Sequence, residues 1–375
     1  MSNGFIHQSS RAPGTSDGGS GGDGNSPGGA QTHNETETVT IALDAMSGDL
    51  GAATAVEAAK SITRRHGDLR ILLVGKESEL SPLLGAHGDS ISIHHASEVV
   101  MMEDAPAQAL RSKKDSSMRV AINLVKSGDA AACVSCGNTG ALMAMGRFVL
   151  KMLPGIDRPA IIAAIPNLGG HVQMLDLGAN VDCSAEHLYQ FAVMGSALSS
   201  AVDGIDRPKV GLLNIGSEDI KGNELVKEAD KLLEQAKASD DLNYVGFIEG
   251  DQIYMGDADV IVADGFVGNV ALKSSEGVAR LIRSYLKQEF TRSPLSKVMG
   301  LIAAPVLKRL GKRIDPRRYN GASLLGLRGI VIKSHGSADA LALENALSIA
   351  RLEAKKNLIS LINTQTETRL IQSSA

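Results

Sequence analysis

Gly256-Asp-Ala-Asp-Val-Ile-Val-Ala-Asp-Gly-Phe-Val-Gly-Asn-Val-Ala-Leu-Lys273 is the stretch on which the reading of the fold turns. Val260 to Val262 is a short β-branched run suited to a buried parallel strand. Asp264-Gly265 breaks it at the carboxyl end, and a helical pattern follows at once. Gly268 and Asn269 stand where the strand feeds the helix N-terminus, whose unpaired amides and positive dipole end suit an anion. A plain strand-turn-helix, with glycines serving only a tight turn, fits this segment equally well.

The same alternation extends in both directions. Strands are expected at 39–43, 70–75, 90–94, 130–135, 160–165, 172–176, 209–215, 244–247 and 329–333. Helices are expected at 52–65, after 75, and at 107–113, 117–126, 141–152, 185–201, 224–237 and 338–362. Such alternation predicts a doubly wound, mostly parallel α/β sheet between helical layers, with ligands beyond the carboxyl ends of its strands. Polar, Gly-rich segments follow six strands, at 44–49, 135–140, 176–180, 214–223, 264–269 and 333–336, and the expectation is one site assembled from all six. Each loop alone is also ordinary turn and cap chemistry.

Composition narrows the class. The 375 residues are 43% apolar and 21% charged, enough for a sizeable core. Aromatics are only 3%, without Trp, so nucleic-acid stacking platforms are not expected. Residues 1–38 are Gly, Ser, Asp, Asn and Thr with few apolar side chains, which predicts a disordered tail ahead of a domain at 39–363 and a polar tail at 364–375. Gly19-x-Gly21-x-x-Gly24 and Gly14-x-Ser16-x-Gly18 fall in that tail without a strand or helix around them, so neither is a nucleotide fingerprint or a nucleophile elbow. No apolar run spans a bilayer and no signal peptide is visible, so a soluble, intracellular protein is expected.

No Walker-type loop occurs, and no cofactor is indicated. Cys133-Val-Ser-Cys136 has redox spacing, though Cys133 lies in an expected buried strand; with Cys183 the three thiols form neither a disulfide framework nor a zinc site. Asp44, Asp176 and Asp264 each end a strand and could hold Mg²⁺ together, but turn capping is the commoner role and no metal is expected. Lys221 sits in an acidic, small-residue loop, where it can meet a phosphate or pair with Glu218 or Glu224. Residues 278–318 carry 11 Lys and Arg against 2 Asp and Glu, a local +9 in a chain of −4, leaving −13 elsewhere. With Arg280, Arg283, Lys287, Lys308 and Arg309 beside apolar positions, this reads as a protruding basic amphipathic helical hairpin. It suits an anionic membrane or an acidic partner, or else a dimer or core contact.

Taken in order, Asp44-Ala-Met-Ser-Gly-Asp49, Ser135-Cys-Gly-Asn-Thr-Gly-Ala-Leu-Met-Ala144, Asp176-Leu-Gly-Ala-Asn180, Asn214-Ile-Gly-Ser-Glu-Asp-Ile-Lys-Gly-Asn223, Asp264-Gly-Phe-Val-Gly-Asn-Val-Ala-Leu-Lys273 and Lys333-Ser-His-Gly336 resemble the PlsX-type phosphate acyltransferases. The likeness runs from about Thr38 to about Ala354. It implies a fold like that of isocitrate dehydrogenase and phosphotransacetylase, and reversible transfer of a long-chain acyl group from acyl carrier protein to inorganic phosphate. The acyl phosphate would feed phosphatidic acid synthesis. The resemblance also implies a bacterial cytoplasmic homodimer, peripheral on the membrane, that hands its product to a downstream glycerol-3-phosphate acyltransferase. On this reading Lys221 and Asn269 are catalytic, while Asp44, Gly137, Asn138, Thr139, Gly140, Asp264, Gly268 and His335 bind phosphate or shape its site. Ser47 and Cys136 replace the family's usual Gly and Ala, and Asp251-Gln252 its Arg-Asp. The rival readings are a short-chain phosphotransacetylase using acyl-coenzyme A and a non-catalytic scaffold for acyl carriers.

Overall fold

The structure, a computed structural model, describes residues 38–367 apart from 87 and 314, so the tail expected at 1–38 lies outside it save for Thr38, and the tail expected from 364 is described only to 367. The chain runs β1 (Val39–Asp44), α1 (Gly51–Arg65), β2 (Leu69–Gly75), α2 (Glu77–Leu84), β3 (Ile91–His95), α3 (Pro106–Ser112), α4 (Ser117–Ser127), β4 (Ala132–Ser135) and α5 (Thr139–Leu150). It continues through β5 (Ala160–Asn167), β6 (Gly170–Leu175), α6 (Ala185–Val202), β7 (Lys209–Leu213), α7 (Glu224–Ala238), β8 (Asn243–Ile248), β9 (Val260–Val262), α8 (Gly265–Thr291) and α9 (Pro294–Arg313). It closes with β10 (Ala322–Leu325), β11 (Ile330–Lys333), α10 (Ala340–Lys355) and α11 (Leu358–Thr366).

The eleven strands among the described residues form one sheet in the order β3-β2-β1-β4-β11-β10-β5-β6-β9-β7-β8. Side chains alternate across it, and the pattern of β1 shows how the layers form: Ile41 and Leu43 enter the core under α1 and α10, whereas Ala42 faces the core under α4 and α5. A third cluster, built on Phe191 and Tyr244, packs α6, α7 and α11 on the face that carries α1 and α10. Each fully buried Ile or Leu contributes roughly 1.5–3 kcal/mol to holding these layers together. This is the three-layer α/β/α architecture expected from the alternation of strands and helices.

Three features depart from expectation. The closing helix predicted at 338–362 is two helices, because Asn357 adopts the left-handed conformation (φ 51°) and turns the chain between α10 and α11. α11 also runs to Thr366, beyond the expected domain end. β10 went unpredicted: its four residues are too few for alternation to register, and its place comes from antiparallel pairing with β11 and β5.

The third departure governs the site. Since β11, β10, β5 and β6 pair antiparallel in succession, β6, β9, β7 and β8 run opposite to β3, β2, β1, β4 and β11. Loops after β1, β4 and β11 therefore leave one edge of the sheet, and those after β6, β7 and β9 leave the other. The expectation that six loops open on one edge is corrected by this reversal. Asp44, on the first edge, is accordingly separated from Asp176 and Asp264 on the second.

Candidate active site

On the first edge, three strand ends lie side by side in register: Asp44 is opposite Ser135, and Ser135 is opposite Lys333. Adjacent strands are about 4.8 Å apart, so residues nearly 300 positions apart in sequence become neighbours. Asp44 is buried, and its Oδ2 accepts the hydroxyls of Ser135, at 2.6 Å, and of Ser47. The hydroxyl of Ser135 in turn accepts the Gly137 amide at 3.1 Å. Asp44 Oδ1 is buried without a hydrogen-bond partner.

This scaffold presents the N-terminus of α5. Asn138 caps it, its Oδ1 accepting the Ala141 amide at 3.0 Å while its Nδ2 donates to the carbonyls of Met102 and Asp104 at 2.8 and 3.0 Å. The Asn138 side chain is thus consumed by structure. The backbone amides of Asn138, Thr139 and Gly140 have no partner among the described residues, which leaves a small crown of unpaired donors of the kind that suits an anion. Gly137 is needed for the close approach of this turn: a Cβ there would lie 2.5 Å from Met118 Cε and 2.8 Å from Ser47 Oγ.

Two further groups stand on the same edge of the sheet, at and just after the end of β11. Lys333 is half-buried and donates to the carbonyls of Cys136, at 3.5 Å, and Ser334. Burial holds its ammonium below the usual lysine range, while Asp44 and Asp49 work against that shift. His335 is exposed, and its Nδ1 accepts the Ser337 amide at 3.1 Å, which puts the imidazole proton on Nε2. Desolvation, then the charges of Lys273 and Lys333, lower its pKa. Lys333 was not singled out from the sequence as a site residue. The available signal was a lysine ending the apolar run Ile330-Val-Ile, where an ordinary buried strand would place no charge.

On the second edge Asp176 organises the turn after β6, its carboxylate accepting the amides of Ile161 and Ala179, each at 3.0 Å, and of Asn180 at 2.7 Å. Burial raises its pKa in spite of those bonds. Asp264 is the N-cap of α8: it accepts the Phe266 amide at 2.9 Å and the Cys183 amide at 3.3 Å, and so fixes the loop. The Gly268 amide is bonded to the Asp264 carbonyl at 2.8 Å, so Gly268 does not offer the free donor the sequence suggested. What it offers is space, since a Cβ would fall 2.0 Å from the Asp176 carbonyl oxygen. Asn269 is exposed and lies over Gly178. Lys221 is exposed in the loop after β7 and forms no ion pair with Glu218 or Glu224; Glu224 pairs instead with Lys227 at 3.6 Å.

α8 joins the two edges. It starts beside Asp176, and two turns beyond its cap Lys273 is near enough for its charge to act on Lys333 and His335. Further along, it pairs with α9 to form the expected hairpin, although α8 already begins at Gly265 and Pro305 sits inside α9. Arg280, Arg283, Lys287, Lys308 and Arg309 are all exposed, and so are Leu301 (75%) and Ile302 (76%). No helix among the described residues is long and apolar enough to cross a membrane.

The thiols do not suit nucleophilic chemistry. Cys133 and Cys136 are buried, which pushes both up, and burial takes Cys183 to about 12. No group of three His, Cys, Asp or Glu side chains among the described residues is arranged to hold a metal ion.

Residues 39–361 match the family described as fatty acid synthesis protein. The phosphate acyltransferase of Methylococcus capsulatus is 61% identical over 321 residues, covering 84% of this chain and 94% of the relative. That of Nitrosococcus oceani is 58% identical over 334 residues, covering 88% and 97%. Among solved structures, a phosphotransacetylase from Streptococcus pyogenes superposes with a TM-score of 0.58 at 19% identity, covering 86% of this chain and 96% of that one. The EutD phosphotransacetylase from Staphylococcus aureus gives 0.55 at 18% identity, again covering 86% and 96%. At that identity the likeness is one of fold.

Proposed function

The chain belongs to the fatty acid synthesis protein family, and from that premise we propose that it is an enzyme that moves a long-chain fatty acyl group from acyl carrier protein to inorganic phosphate, reversibly, for phospholipid synthesis. The observation that carries this reading is the amide crown of α5, with Lys333 and His335 on the same edge of the sheet. A thioester and an acyl phosphate are both activated, so their exchange needs neither nucleotide nor metal. Phosphate is itself nucleophilic at neutral pH, and the site's task is to hold it in line with the carbonyl and to stabilise the oxyanion.

In this mechanism the amides of Thr139 and Gly140 hold phosphate. Asn269, one turn before Lys273 on α8, donates to the oxyanion or orients the nucleophile. Lys221 meets the thioester from the second edge, and a homodimer is part of the reading. The hairpin rests on an anionic membrane surface: exposed Leu301 and Ile302 on α9 favour insertion between headgroups, with Arg280, Arg283, Lys287, Lys308 and Arg309 on the phosphates. That placement brings the product to a membrane acyltransferase acting on glycerol 3-phosphate.

The test is phosphate-dependent release of carrier thiol from a C16 acyl carrier protein, for the wild type, Lys221→Ala and Asn269→Ala. Turnover by the wild type and a loss of about 10²-fold or more in each folded variant support the assignment. Turnover of acetyl-coenzyme A alone would replace the substrate class, and undiminished variants would remove Lys221 and Asn269 from the chemistry.

A further inference from the structure

Lys333 differs from the cations around it. Lys273 is paired with Glu276 at 2.9 Å, and the imidazole of His335 is biased towards its neutral form. The ammonium of Lys333 bonds only to backbone carbonyls and has no carboxylate oxygen within 4.0 Å among the described residues. Its carbon stem is packed at the end of β11, with one strand, β4, between it and β1. At the end of β1 lies the buried, unpartnered Oδ1 of Asp44. An unsatisfied buried carboxylate oxygen and a half-buried ammonium are both costly features for a resting protein. Together they make sense if Asp44 keeps the amine protonated while its charge remains free for an anion delivered to the amides of Thr139 and Gly140.

We propose that Lys333 is a catalytic residue of this site, contacting the phosphate seated on the α5 amides and neutralising it as it attacks the thioester. The assignment rests on the phosphate acyltransferase reading above. In the step, an oxygen of hydrogen phosphate forms a bond to the carbonyl carbon, the carbon–sulfur bond breaks, and the hydrogen phosphate proton passes to the departing thiolate. The products are acyl phosphate and free carrier thiol. Lys333 keeps its proton throughout and shields the phosphate oxygens as the new C–O bond forms. Ser47 and Ser135 act through Asp44 and are positioning residues.

The experiment measures steady-state kinetics with C16 acyl carrier protein for the wild type, Lys333→Met and Lys333→Arg, together with thermal melts. Loss of a charge-assisted contact is expected to raise the KM for phosphate by about tenfold or more in Lys333→Met. KM for the acyl carrier should stay within about twofold, with partial rescue by Lys333→Arg. A folded Lys333→Met with an unchanged KM for phosphate, or with equal losses for both substrates, overturns the role of Lys333. In the wild-type protein, trace acetylation of Lys333 by acetic anhydride should slow severalfold when inorganic phosphate is added; no protection also overturns it, even if the variants fail to fold. A wild type without phosphate-dependent turnover overturns instead the reading on which the role rests.

Discussion

Replacing Gly268 by Ala asks whether the start of α8 must touch the turn after β6. The new Cβ would be 2.0 Å from the Asp176 carbonyl oxygen and 3.1 Å from its carbon. Carbon–oxygen contacts settle at roughly 3.3 Å or more, so the first turn of α8 has to withdraw by about 1 Å. Both sides of the contact are backbone, and no side-chain rotation relieves it. Ala in a helix gains about 1 kcal/mol over Gly, while overpacking costs about 1–3 kcal/mol, and a net loss of up to about 2 kcal/mol follows. The functional effect should exceed the loss of stability, because Asn269 is the next residue and a displacement near 1 Å lowers turnover by roughly 10²-fold. Gly277 is the control: it lies in the same helix and nothing stands within 4 Å of its Cβ position. Gly277→Ala should melt slightly higher than the wild type and retain its rate. Melting curves and the thiol-release assay measure both. If Gly268→Ala melts as high as Gly277→Ala and turns over like the wild type, the contact does not position Asn269.

Two other outcomes follow from packing and charge. Glu353 is fully buried on α10 with the hydroxyl of Ser323 as its hydrogen-bond partner, and burial raises its pKa from 4.5 to about 8. Because the folded value is the higher one, its contribution to stability is complete below about pH 4.5 and is lost as pH rises through 8, at up to about 1.4 kcal/mol per unit. Glu353→Gln keeps an acceptor for Ser323 and should flatten that part of the stability profile in denaturant titrations between pH 5 and 8; an unchanged slope would show that Glu353 is not its source. In the hairpin, Leu301→Glu with Ile302→Glu should abolish sedimentation with anionic vesicles while leaving turnover of soluble acyl carrier protein within about twofold. Retained vesicle binding would place the membrane contact elsewhere.

What the sequence determined by itself was local. Alternating strand and helix patterns, the Asp264-Gly265 break after Val262 and the basic hairpin are each set by neighbours a few residues apart, where steric fit and hydrogen bonding act directly. Six ordered motifs also sufficed to name the family. The tertiary structure alone decided direction and convergence. β10 is four residues long and takes its place from its partners, yet its antiparallel pairing begins the reversal that divides the six loops between two edges. Asp44, Ser135 and Lys333 meet because β1, β4 and β11 lie side by side in register, a consequence of strand order that no local pattern encodes. Gly268 reads as a donor in sequence and proves to be a gap for the Asp176 carbonyl, because the close approach of two backbones is a property of packing.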